Sequence, residues 1–163
     1  MAEQRNEHDA REAAAASVAG RVGAASLTGR AAEDHRSQVF ATADSAERVL
    51  PYFEAAFPDD DRPRKAIEAA RAWARGEIRV GEARSAALAA HAAARDAISG
   101  PAAGCTAARR AASAAARAAG HAAATAHVAS HARGVTFYVE KVLACAKPER
   151  SGDTNPISTS VPR

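Results

Sequence analysis

The sequence predicts an all-α fold, a compact bundle of about five antiparallel helices joined by short links. Between Ala83 and Ala126, 24 of 44 residues are alanine, which has the highest helix propensity because it has no rotamer freedom to lose. Elsewhere apolar residues recur at alternating intervals of four and three, and Gly and Pro punctuate the chain between these stretches. Alanine supplies 49 of the 163 residues, whereas Phe, Trp and Tyr together number seven. A methyl group buries little area, so the core must be thin and the helices must approach closely. The length suits one domain with a single core.

Taken in order, residues 1–31 mix charges, Ala and Gly without large apolar anchors. They are expected to form a mobile extension, with no more than a frayed helix around Ala10 to Val18. The helical domain is expected over residues 32–147. Its first stripe is Val39, Ala43, Ala46, Leu50, Phe53 and Phe57, the core face of one helix. Pro51 lies inside that stripe and lacks a backbone donor, which predicts a kink near Glu47 to Leu50. Pro58 ends the element. Asp61 then stands in position to cap a second helix, with Pro63 in the first turn, where a missing N–H does no harm. That helix turns Ile67, Ala70 and Trp73 inward and stops at Gly76.

A third helix is expected from about Glu82 to Ile98, broken by Ser99, Gly100 and Pro101. A fourth covers about Ala102 to Ala119 and is interrupted or bent at Gly120. The last runs from His121 to about Ala146 on the stripe Val128, Ala132, Val135, Val139, Val142, and Pro148 closes it. Residues 148–163, rich in Ser, Thr and Pro, are expected to be a disordered tail.

Charge is unevenly distributed. Residues 1–60 hold 6 Arg and 11 acids (net −5), and residues 61–147 hold 14 Lys or Arg and 6 acids (net +8). The two parts should attract each other or different partners. A net +8 draws phosphates, which makes a basic nucleic-acid-associated protein the alternative. Against it, the arginines are spread over several helices without an aromatic stacking platform or zinc finger, and nucleic acid is the weaker reading.

The sequence holds no GxSxG, P-loop, GxGxxG or HExxH, so neither catalysis nor a cofactor is expected. His127 and His131 are four apart and would share one helix face, with Tyr138 seven further on. Nothing nearby completes a metal-ligand set. His91, His121, His127, His131 and Tyr138 are therefore read as a structural polar seam whose rings fill volume beside alanines. Cys105 and Cys145 form no CxxC and are read as small buried hydrophobes in a reducing compartment. Met1 to Arg11 offers no apolar core for a secretory signal, and no apolar run approaches the ~18 residues of a membrane span. Cytoplasm is the expected compartment.

Specific strings carry more than composition does. Ala46-Glu47-Arg48-Val49-Leu50-Pro51 with Phe53 and Glu54, then Arg62-Pro63-Arg64 and Ala66 to Gly76, resemble the immunity-five-like family of bacterial immunity proteins. The resemblance resumes at Ala89 to Arg95 and is strongest at Ala119 to Ala129 with His131 and Tyr138, covering about Glu33 to Ala146. Departures fall where members often carry Trp and Cys and this chain has Ala41 and Ser45, and where Arg133 replaces an apolar residue. The resemblance implies a small, helical, non-catalytic protein of a polymorphic toxin system that neutralises a cognate toxin by binding it. It assigns no functional residues. Two surfaces are candidates for that contact: the acidic turn of Glu54, Asp59, Asp60 and Asp61, and the basic, His-containing face of the last two helices. The turn is preferred, because a loop presents charge without strain.

Overall fold

The computed structural model describes residues 28–99 and 106–146. Helix α1 covers residues 28–47, α2 is the single turn Pro51–Glu54, α3 is Arg62–Arg75 and α4 is Val80–Ser99. Helix α5 is Ala107–Thr125, a 3-10 turn spans Ala129–His131, and α6 is Ala132–Ala146. Five long helices form an all-α bundle, and no strand occurs among the described residues. The expected extension and tail lie outside the described residues, save that 28–31 already belong to α1.

Helix α5 runs through the middle and touches α2, α3, α4 and α6. Its buried residues include Ala111 to Ala116, Ala118, Ala119, Gly120, Ala122, Ala123 and Thr125. From Ala111 to Thr125 only Arg117, His121 and Ala124 are less than fully buried, and side chains there must be small for four neighbours to close on the helix. The alanine run supplies that helix. Larger residues fill the outer layers, where Val39, Val49, Leu50, Phe53, Ile67, Val135 and Val142 are buried.

The first stripe is buried as its spacing predicts, with Phe57 packed against its edge. Pro51 cannot donate to Glu47, and the chain tightens instead. The Val49 and Leu50 N–H groups donate to the carbonyls of Ala46 and Glu47 at 3.2 and 3.1 Å, three residues back rather than four. The expected kink is thus a turn over residues 48–50 that re-aims α2.

The start of α3 differs in detail from the sequence expectation. Asp61 holds the N-cap position, but its backbone (φ −89°, ψ 0°) is not extended and its carboxylate makes no cap. It pairs with Lys65, while Asp60 Oδ1 accepts the Arg62 backbone N–H at 3.2 Å. At the other end Gly76 has φ +80°, and the N–H groups of Gly76 and Glu77 donate to Trp73 and Ala72. That pair of bonds is the Schellman closure, and its left-handed residue favours glycine. Helix α4 begins two residues earlier than predicted, because Glu82 Oε2 reaches back to accept the Arg79 N–H at 2.9 Å.

The larger correction concerns Gly120. It interrupts nothing: α5 continues through it to Thr125, and the break falls at residues 126–128, where Val128 is extended (φ −144°, ψ 116°) and exposed. A buried helix flanked by alanines tolerates the ~1 kcal/mol of one glycine. At the real break, the His35 ring donates from Nε2 to the Thr125 carbonyl at 2.7 Å, and the Thr125 hydroxyl donates to the His121 carbonyl at 2.9 Å. The carbonyl that would continue the ladder is already taken. The predicted last helix is therefore two helices, of which α5 carries His121 and α6 carries Tyr138.

Candidate functional site

The break between α5 and α6 folds a row of polar rings into one seam. His91 enters from α4 and His121 from α5, their ring centroids 5.1 Å apart and nearly perpendicular at 77°. His131, at the end of the 3-10 turn, approaches His121 at 5.5 Å. Tyr138 of α6 stacks on His121 at 5.3 Å and 21°. Four of the five predicted seam residues therefore meet. His127 stands apart in the turn, exposed, on the rim of a smaller cleft of about 270 Å³ that His91 and His131 also line. With no continuous helix through it, the pair His127 and His131 does not share a helix face.

Two glycines make room for the rings. A Cβ placed at Gly120 would lie 2.7 Å from His91 Cε1 and 2.8 Å from its Nδ1, and one at Gly134 would lie 2.5 Å from His121 Nδ1. Neither side chain nor backbone could absorb both contacts without moving a ring. The glycine that sequence reasoning takes for a breaker is thus a socket. A lone Gly deep in an alanine run, with no second breaker beside it, is the signal that could have indicated this.

The seam is poor in acceptors. The Nδ1 atoms of His91 and His121 are buried and have no hydrogen-bond partner among the described residues. Burial, with repulsion from His121 when that ring is protonated and from the guanidiniums of Arg117 and Arg95, pushes the His91 imidazole down to about 4. Burial lowers His121 as well, helped by His131 and Arg117. Both rings are therefore neutral at pH 7, the state that can sit among alanines at least cost. No group of three or more His, Cys, Asp or Glu among the described residues is placed to hold a metal ion.

Beside the seam lies a recess of about 420 Å³ lined by Ile98, Arg110, Ser113, Ala114, Arg117, Tyr138 and Lys141. The Arg117 guanidinium lies over the Tyr138 ring, 5.8 Å from its centre. Among the described residues, three cations and no carboxylate line this hollow. Sequence reasoning named Tyr138 but missed Arg117 and Lys141, which are 24 apart and meet only because α5 and α6 pack antiparallel.

The acidic turn is occupied differently. Glu54 pairs with Arg64, Asp60 with Arg62 at 2.6 Å, and Asp61 with Lys65 at 2.8 Å. Arg62 also reaches Asp96 on α4 at 2.8 Å, and its hydrogen bond holds the Asp60 carboxyl below the usual range. Of the four predicted carboxylates, only Asp59 has no ion pair among the described residues. Further along, Arg71 joins α3 to Asp44 and Glu47 of α1 at 2.6 Å each. Much of the charge asymmetry is spent within the molecule, acidic first half against basic α3.

A family model described as Imm-5 like putative immunity protein matches residues 31–158. The chain belongs to that family. The match contains every residue of the seam, the recess and the acidic turn, and it extends past Ala146, where the sequence resemblance stops. No curated protein and no solved structure matches this immunity-family chain. No described helix is long and apolar enough to cross a membrane.

Proposed function

We propose that this chain protects its host by binding a cognate toxin and blocking it, with no chemistry of its own. The family match over residues 31–158 carries the proposal. A densely packed central helix under charged outer helices also suits a rigid binding body, since little ordering is required on association.

Two surfaces remain candidates for the contact. The turn of Glu54, Asp59, Asp60 and Asp61 would suit a basic toxin, but three of its carboxylates already face internal cations. On the basic side of α5 and α6, Arg117 and Lys141 have no carboxylate partner among the described residues, which moves the preference there. A charge placed against its opposite accelerates encounter and rejects wrong partners.

The test is co-expression with the product of the neighbouring open reading frame, followed by co-purification. Rescue of growth together with a stable complex is the expected result. Absence of both overturns the proposal.

A further inference from the structure

The recess between the end of α4, α5 and α6 has the composition of a site for an anion. We infer that it is a carboxylate pocket, which receives a Glu or Asp side chain of the protein partner; this rests on the binding function proposed above. Its walls differ in kind. Ile98, Ala114 and the Tyr138 ring form an apolar side, while Arg110, Arg117 and Lys141 bring positive charge to the opening. A methylene stem against the first and a carboxylate against the second is the shape of an acidic side chain.

The state of the cations is the deciding contrast. On α3, Arg62, Arg64, Arg71 and Arg75 are each held by one or two carboxylates. In the recess, no carboxylate among the described residues pairs with Arg117 or Lys141, and Arg117 has only the Tyr138 ring face for company. Arg117 is half-buried, so its charge is partly withdrawn from water and left uncompensated. The Tyr138 hydroxyl likewise makes no hydrogen bond to any described residue, and it is available as a donor beside the two cations. Ser113 is committed elsewhere, its hydroxyl donating to the Ala94 carbonyl at 2.7 Å, and it shapes the floor only.

A hollow of about 420 Å³ holds one side chain rather than a run of backbone phosphates. The partner's acid would thus dock as a single anchor, its methylenes on Ile98 and Tyr138 and its carboxylate between Arg117 and Lys141.

The probe is N-acetyl-glutamate methylamide, titrated into the full chain while the Tyr138 ring and the Arg117 Nε–H are followed by NMR. Saturable shifts at both groups are expected, with affinity reduced at least about tenfold in Lys141→Glu and in Arg117→Gln. Lys141 is exposed, so its variant keeps the proposal testable if the Arg117 variant does not fold. The neutral glutamine analogue should leave both signals unmoved. An equal response to the two analogues, or an unchanged affinity in Lys141→Glu, overturns the pocket. So does saturation by inorganic phosphate or a short DNA duplex at these residues with none by the glutamate probe. Because no toxin enters this titration, its failure is separable from a failure of growth rescue.

Discussion

Replacing Gly120 by alanine should destabilise the protein, against the ordinary rule for a helix interior. The rule gives a gain of about 1 kcal/mol, since alanine restricts the unfolded chain and favours helix. Here the new Cβ would sit 2.7, 2.8 and 3.0 Å from three atoms of the His91 ring. Ordinary contact begins near about 3.5 Å, so the ring must retreat by roughly 0.8 Å. It cannot retreat freely, because His121 packs against it with centroids 5.1 Å apart. Overpacking of this kind costs about 1–3 kcal/mol, which leaves a net loss of up to about 2 kcal/mol after the propensity gain. In a His91→Ala background the obstacle is gone, and the same substitution should stabilise by up to about 1 kcal/mol. Urea unfolding of the four proteins of this cycle, followed by far-ultraviolet circular dichroism, measures both signs. If Gly120→Ala stabilises the parent, or has one effect in both backgrounds, the ring is not what keeps position 120 bare.

Three further outcomes are expected. Because the His91 pKa is about 4 when folded and near 6.5 when unfolded, the unfolded chain takes up the proton first as pH falls. Stability is complete above about pH 6.5 and falls through the window down to about 4; between pH 7 and 5 the loss is about 1 kcal/mol once solvent screening at the ring edge is allowed for. The slope over that window should lessen in His91→Gln, as chemical unfolding at each pH would show. Gly76→Ala has space for the methyl but must hold φ +80°, and should cost about 1 kcal/mol with no change in the slope of the unfolding transition. Arg71→Ala removes the α1 to α3 bridge and should cost less than about 1 kcal/mol, with the difference shrinking in high salt because both acids are largely solvated.

The helices were largely legible because their signals are local. The spacing from Val39 to Phe53 and the stop at Gly76 depend on residues close in sequence, and both appear in the structure. What escaped depends on contacts across the chain. The end of α5 is fixed partly by His35, 90 residues away, which no window around Thr125 contains. Gly120 looks the same in sequence whether it bends a helix or seats a ring from another one. The seam was legible as a group of residue types, although His127 stands outside the ring contacts. The recess was not, since Arg117 and Lys141 become neighbours only when α5 and α6 lie side by side.

The position of α5 also sets how the molecule opens. Its backbone amides are screened by four neighbouring elements, so exposing them requires those neighbours to leave together. Hydrogen exchange along Ala111 to Ala123 should therefore occur only through global unfolding, while the outer helices open in smaller units. The wall of the recess that α5 contributes lies on this slowest-exchanging segment. A ligand seated there would find its shape already fixed before arrival, and its residence time would be governed by the strength of the contacts rather than by breathing of the floor beneath it.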